Sequence, residues 1–369
     1  MVRVGVLTSS RADFGVYLPL LEQLKADADF KVEIIAFGTH LSAAHGTTIT
    51  EIEKSGFPPK YKVISMVAHD SEEAIATSVG LTFLKFSAFW ANVKYEFDVV
   101  LCLGDRYEMF SAVLAGVPYG IKFAHFYGGD RSDGAIDNVY RDCITMASNI
   151  HFTSTQKCAD RVKILTTSKN IYPIGILSLE AINKMPLLSI DAFKSKWKVD
   201  LSTPTALVTF HPETVNAENN FSHTSVVGEV IEEILKDFQV VVTMPNADTH
   251  GSVYRELYAD ISRKHGQFFA FENLGMESYF TCLKHCKFVL GNTSSGISEA
   301  PSFGKYFINV GIRQQGRELG ENVISTPFVT DSIMDAIRSL PHDFVFKGDN
   351  IYHNPGSLSY IQKILKDII

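Results

Sequence analysis

What this 369-residue chain lacks narrows its chemistry first. It has no basic run and no arginine-rich tail, and 34 Lys+Arg against 41 Asp+Glu leave a formal net charge of −7. Binding nucleic acid by neutralising its phosphates is therefore not expected, although a few local arginines could hold a smaller anion. Cysteine is scarce and odd in number: Cys102, Cys143, Cys158, Cys282 and Cys286, with no CxxC pair. Cys282 and Cys286 would share one helical face, with His285 between them, but a metal centre needs further ligands at set spacings and none is in place. Structural thiols in a reducing, cytoplasmic compartment are the expectation. The first residues, MVRVGVLTSS, read as a short strand and not as a signal peptide. No apolar run approaches the roughly 20 residues of a membrane helix, so no membrane partner is expected. Short-period repeats, low-complexity segments and a Gly-Lys-Ser/Thr phosphate loop are all missing.

Hydrophobic content is 46% and charged content 20%, enough for a large packed core, and the length suits about two domains. Short apolar, β-branched runs (VRVGVL, VEIIAF, DVVLCL, IKFAHF) alternate with amphipathic ones (FGVYLPLLEQLKAD, YEMFSAVLAGV). That alternation predicts parallel sheets with helices on both faces. The theme repeats with TALVTF, QVVVTM, QFFAFE, KFVLG and YFINV. The fold class is thus α/β with two Rossmann-like domains, 1–175 and 176–354, and a closing helix over 355–369. The turn-rich stretch between Pro173 and Pro186 marks the boundary.

In open α/β sheets, ligands sit outside the carboxyl ends of the strands. Here those ends read TSSRADFG, GDRYE, HPET, PNADTHG, GNTSSGISEA and GIRQQGRELGEN, and the two domains would present them to one cleft. GNTSSGISEA can place backbone N–H groups and the Thr293 and Ser294 hydroxyls against phosphate, with Glu299 accepting from a ribose diol. The alternative is ordinary capping by Ser294 or Ser295, with Glu299 on the surface. Arg11 and Arg313 are candidate diphosphate clamps because guanidinium suits bidentate phosphate contacts. His211, directly after a strand, could donate to phosphate or act as acid or base. After IKFAHF comes FYGGDRSDGAIDNVYRD, which crowds Asp130, Asp133, Asp137 and Asp142 behind a Gly-Gly. With Asp105 of GDRYE, two or three such carboxylates could divide acid and base roles, since close carboxylates push their pKa values apart. Turn formation and helix capping are the alternative use of the same aspartates.

In order and spacing, SSRADFG, GDRYE, GGDRSDGAID..YR, FHPET, PNADTHG, GNTSSGISEAP and GIRQQGRELGENV resemble the hydrolysing UDP-N-acetylglucosamine 2-epimerase family nearly end to end. The resemblance implies a glycosyltransferase-B-like arrangement whose C-terminal helix returns to the first domain. It implies a cytoplasmic homo-oligomer, dimer or tetramer, that needs no cofactor and no metal. Its partners would be a nucleotide-sugar substrate and the UDP product, on the way to sialic or legionaminic acids. By motif, Arg11, Ala12 and Arg106 would lie near the nucleotide and diphosphate; His211, Asn246, Thr293, Ser294 and Arg313 would bind nucleotide or phosphate; Glu299 would take the ribose and the Leu274 backbone the uracil. Asp105, Asp130, Asp137 and His211 form the implied catalytic set, with Tyr127 and Arg141 among the residues binding substrate or nucleotide. The implied chemistry is elimination of the nucleoside diphosphate with loss of the C2 proton, then hydration with C2 reprotonated on the other face.

Four positions depart from the family pattern. Sialic-acid-type members carry Glu directly before the Gly-Gly, where this chain has Tyr127. Members of the diacetylbacillosamine branch carry His there and Glu after the Gly-Gly, where this chain has Asp130. The family's Arg-His is Arg141-Asp142, and the Arg before Glu299 is Ser298. Two rivals remain open at this point: a sugar transferase on the same scaffold, and a nucleotide-sugar-binding protein that has lost its catalysis.

Overall fold

The computed structural model describes residues 1–42, 48–67, 69, 71–133, 136–182, 185–213, 215, 217–245 and 251–368. Seven strands form the first sheet: β1 (Val2–Thr8), β2 (Phe30–Phe37), β3 (Tyr61–Val63), β4 (Val99–Leu103), β5 (Phe123–Phe126), β6 (Ile150–Thr153) and β7 (Ile171–Pro173). Six form the second: β8 (Thr205–Thr209), β9 (Gln239–Thr243), β10 (Phe268–Phe271), β11 (Phe288–Gly291), β12 (Phe307–Val310) and β13 (Val323–Thr326). Every pairing is parallel, in the orders β3-β2-β1-β4-β5-β6-β7 and β10-β9-β8-β11-β12-β13. The order reverses between β1 and β4 in one sheet and between β8 and β11 in the other. Those are the switch points at which α/β sheets open a crevice.

The strand runs are continuously apolar because both faces of each sheet are covered. Along β1, Val4 and Val6 face a cluster built with the helices Arg11–Lys25 and Ser357–Ile368. The next residue, Leu7, faces the opposite cluster with Phe86, Trp90 and Met109. This period-two alternation is what a parallel strand between two helical layers requires. In the second sheet Val208, Val240 and Val242 pack with Tyr254, Tyr258 and Ile333 in a separate core.

The chain divides into two compact units: unit 1 is Met1–Asp130, Asp137–Ala181 and Tyr352–Ile369, and unit 2 is Arg131–Ile136 and Ile182–Ile351. The C-terminal helix belongs to unit 1, where Leu358, Ile361 and Leu365 are buried. The passage from the first sheet to the second lies at 181/182 where 175/176 was expected. Ile176 stays with unit 1 through N–H donation to the Tyr352 carbonyl (2.9 Å), and Leu177 N donates to the Tyr127 hydroxyl (2.9 Å). The same bond brings the return forward, to 351/352. Arg131–Ile136 belongs to unit 2 because Asp133 N donates to the Gln315 carbonyl at 2.8 Å.

One expectation from sequence is corrected. The helix Glu72–Val93 has 22 residues and a mean hydropathy of 1.3 over 18 of them, long and apolar enough to cross a membrane. Small residues (Ala, Gly, Ser, Thr) among the large apolar ones disguise its length in the sequence. Its buried stripe, Ala74, Ser78, Thr82, Phe86, Trp90 and Val93, recurs every three or four residues and packs into unit 1.

Candidate active site

The turn after β1 explains SSRAD. Buried Asp13 accepts from Ser9 N (2.8 Å), Ser9 Oγ (2.7 Å) and Ser10 N (3.0 Å), while Ser10 caps the following helix. His40 bridges Thr8 (2.9 Å) and Thr48 (2.8 Å) behind this turn. Burial pulls the His40 imidazole down to about 4, against the opposing pull of Asp13. The turn is thus built by Ser9, Ser10 and Asp13 of the motif with His40 behind it, and it sets Arg11 at the mouth of β1, where its guanidinium pairs with Glu51 at 3.3 Å. Ala12 is exposed in the same helical turn.

After β4 and β5 the carboxylates converge. Arg141, buried in the helix Asp137–Ala147, donates to Asp105, to the Asp130 carbonyl (2.8 Å) and to the Asn138 side chain (2.8 Å). Burial opposes its charge, but Asp105, Asp130 and Asp137 together outweigh burial and hold the guanidinium above its ordinary value. The Asp105 carboxylate bonds this buried cation directly and the Asp130 and Asp137 charges favour it as neighbours, which neither capping nor turn formation requires. Asp137 does begin that helix, so it serves both uses. Asp142 is accounted for by Arg161, which donates to it at 2.7 Å and reaches the Asp130 carbonyl at 3.4 Å. Arg131 is paired with Asp133 at 2.6 Å.

Two further groups shape this end of unit 1. His125 on β5 is buried; its Nε2 lies 2.8 Å from the Gly104 carbonyl and its Nδ1 3.1 Å from Thr145 Oγ1. A carbonyl can only accept, so Nε2 carries the proton and Nδ1 accepts from threonine. Burial drives this imidazole down to about 3, so it is neutral and clamps the Gly104–Asp105 turn. In sequence it is one residue of an apolar run. Arg106, expected near the diphosphate, forks onto fully buried Glu108 (3.0 and 3.2 Å) at the start of the helix Tyr107–Gly116. Tyr127 has φ 67° and its hydroxyl accepts from Leu177 N.

In unit 2, Asn292 binds the β8 and β11 ends together: its side chain accepts from His211 N (2.7 Å) and donates to His211 O (2.9 Å). The Asn292 carbonyl accepts from Gln314 (2.8 Å) and Arg313 (3.4 Å). Buried Glu213 accepts from Ile312 N (2.7 Å) and Arg313 N (3.1 Å), and Asn220 clamps its backbone (3.0 and 2.8 Å). Burial pushes the Glu213 carboxyl up, while the two backbone donors and Arg313 pull the other way. The result is that His211, Thr293 and Arg313 are held on one framework. Gly291 is indispensable to it: φ is 143°, and a Cβ would stand 1.8 Å from the Thr209 carbonyl.

The helix after β11 is only Ser294–Ser298, and its cap is Thr293, accepting from Ser295 N at 3.4 Å, in place of the expected Ser294 or Ser295. Five residues make little macrodipole, so an anion there would meet backbone N–H groups and hydroxyls. Glu299 is half-buried and receives the Ser295 hydroxyl, which in turn receives Tyr279 Oη at 2.7 Å. Its carboxylate is oriented by a relay that sequence spacing did not reveal. Leu274 is buried directly before the helix Gly275–His285. Asn246 lies outside the described residues. Among the described residues no group of three or more His, Cys, Asp or Glu could hold a metal, and all five cysteines are unbridged.

The two parallel sheets, with their polar switch-point ends, place the protein in the glycosyltransferase-B-like class. Residues 22–366 match the profile of the family described as UDP-N-acetylglucosamine 2-epimerase, and the chain belongs to that family. It is 32% identical to the GDP/UDP-N,N'-diacetylbacillosamine 2-epimerase (hydrolyzing) of Campylobacter jejuni, over 88% of this chain and 84% of that one. It is 29% identical to the UDP-N,N'-diacetylbacillosamine 2-epimerase (hydrolyzing) of Legionella pneumophila, over 99% and 96%. Among solved structures it resembles the UDP-GlcNAc 2-epimerase of Neisseria meningitidis bound to UDP-GlcNAc, with a TM-score of 0.83 at 16% identity over 99% and 100% of the two chains.

Proposed function

We propose that the protein is a hydrolysing nucleotide-sugar 2-epimerase that converts a UDP-linked 2-acetamido sugar, UDP-diacetylbacillosamine or UDP-GlcNAc, to the free manno-configured sugar and UDP. The observation that carries this is the set Asp105, Asp130 and Asp137 gathered around buried Arg141. In this reading one carboxylate takes the C2 proton while the diphosphate leaves C1. Arg11, Arg313, His211, Thr293 and Ser294 stabilise the departing charge. Water then adds at C1, and a second carboxylic acid returns a proton to the opposite face of C2. Glu299 takes the ribose, with Asn246, Ala12, Arg106 and the Leu274 backbone at the nucleotide. No cofactor is needed, because no electrons change hands.

The diacetylbacillosamine substrate is favoured by the names of the two relatives above and by an acidic residue after the Gly-Gly, Asp130. Its product would feed legionaminic- or sialic-acid-type synthesis in the cytoplasm, where unbridged thiols are at home. A homo-oligomer is supported by the outer face of the helix Glu72–Val93, where Ala76, Gly80, Phe83, Leu84 and Ala88 are exposed.

The test is an NMR time course in deuterated water over a panel of UDP- and GDP-sugars, with no acceptor added. The expected outcome is UDP release with deuterium at C2 of an epimerised free sugar. Product without C2 deuterium would overturn elimination. A strict need for an acceptor would make it a transferase, and tight binding without turnover a lapsed enzyme.

A further inference from the structure

We infer that Tyr127 is a positioning residue that ties the carboxylate-bearing turn after β5 to the points at which the chain passes between its two units. The passages fall at Asp130/Arg131, Ile136/Asp137, Ala181/Ile182 and Ile351/Tyr352. The segments leading to three of them are bonded together inside unit 1. Ile176 N donates to the carbonyl of Tyr352, the first residue after the last passage, at 2.9 Å. Gly175, at φ 72°, lies so close that a Cβ would stand 2.6 Å from the same carbonyl. The next amide, Leu177 N, donates to the Tyr127 hydroxyl at 2.9 Å. Tyr127 itself stands just before the Asp130/Arg131 passage.

The turn that Tyr127 begins has little slack. A positive φ on a residue with a bulky side chain is costly and persists only where the surroundings over-determine it. Here the fixings are Tyr127 N on the Phe152 carbonyl (2.7 Å), the ring edge-on to Phe126, and the hydroxyl on Leu177. Gly129 follows at φ 82°, where a Cβ would stand 2.3 Å from the Cys158 carbonyl. Asp130 comes next, its own carbonyl held by Arg141 and Arg161. A displacement of residues 174–177 is therefore passed through one hydroxyl and a stiff turn to the Asp130 carboxylate. This gives the Tyr that replaces the family's acidic or imidazole side chain a task that neither of those could perform with the same reach: its phenol spans from the strand end to the Leu177 amide. The tie stands on geometry alone; its catalytic consequence rests on the epimerase reading above.

The experiment is Tyr127→Phe, which keeps the ring and removes the bond. Turnover, UDP affinity by calorimetry, and amide hydrogen exchange over residues 174–180 and 127–133 are measured on the full chain. Losing one hydrogen bond of about 1.4 kcal/mol corresponds to roughly tenfold. The expected outcome is exchange at 174–180 faster by about that factor and kcat lower by about that factor, with KM and UDP affinity within about twofold. Tyr127→Leu, which keeps an apolar side chain against the core and lacks the hydroxyl, serves as the second variant and carries the same direction of change. Unchanged exchange with reduced kcat would mean that the hydroxyl acts on substrate, and would overturn the tie. Faster exchange with wild-type kcat would overturn the positioning role. If the wild-type protein turns over no nucleotide sugar, the epimerase reading fails separately, and the exchange measurement alone decides the tie.

Discussion

Arg141 is the residue on which the candidate chemistry turns. A guanidinium this buried would be costly alone, and here it is offset by three carboxylates and by bonds to Asp105, Asp130 O and Asn138. Asp130 and Asp137 are then the residues to test first. Proton transfer by a positioned group contributes about 10²–10⁴-fold, so Asp130→Asn and Asp137→Asn should each cut kcat by roughly that factor while UDP affinity stays nearly intact. Wild-type turnover in both would remove them from the chemistry. Arg313 carries the opposite expectation. A charge-assisted phosphate contact is worth about 1.5–3 kcal/mol, so Arg313→Ala should weaken UDP binding by about tenfold or more. Unaltered calorimetric affinity in a folded variant would exclude it from the diphosphate site.

At the scale of elements, each strand end works through a side chain borrowed from another. Asn292, after β11, satisfies both backbone groups of His211 after β8, and Glu213 after β8 caps two amides after β12. Neither side chain needs to touch a ligand. Asn292→Ala leaves the His211 N–H and C=O without their partners in a buried place, a cost of about 1–3 kcal/mol. Its urea midpoint should fall accordingly, and UDP should bind more weakly because the side-chain support of His211 is lost. A lowered midpoint with wild-type affinity would confine Asn292 to stability. Much at this scale could be read in the chain: the strand runs and the polar ends that follow them come from continuous apolar patterns and the motifs between them. The clamps could not, because His125, Asn292 and Tyr279 are separated from their partners by many residues or sit inside apolar runs.

For the whole molecule, three buried imidazoles set a pH dependence. Burial lowers His125 to about 3 and His40 and His151 to about 4. The unfolded chain, with imidazoles near 6.5, binds more protons than the native state as pH falls below that value. The stability is therefore complete above about 6.5 and is lost as pH drops toward the native values. For one group such as His151 the loss at pH 5.5 is about 1.4 kcal/mol. Neither ring nitrogen of His151 is hydrogen-bonded, so His151→Leu should cost little at pH 7.5 and flatten the dependence. Trp90 lies in unit 1 and Trp197 in unit 2, so in a Trp197→Phe background the fluorescence of buried Trp90 reports unit 1. Equal losses of urea midpoint between pH 7.5 and 5.5, with and without His151, would contradict this assignment.

By itself the amino-acid order determined the two parallel sheets, their strand-end loops, the family and the candidate residues, since each depends on local periodicity or on short contiguous motifs. What only the tertiary structure decided is which of those residues meet. Arg141 reaches the Asp105 carboxylate and the Asp130 carbonyl, from two other loops, and Asp142 is spent on Arg161. Arg106 is turned onto Glu108, and Thr293, in place of Ser294 or Ser295, caps the short helix. The membrane-length helix is laid against a core, and Tyr127 is joined to Leu177. The physical reason is that a charge or a hydroxyl is placed by burial and by hydrogen-bonding partners distant in the chain, whereas a strand is placed by its immediate neighbours.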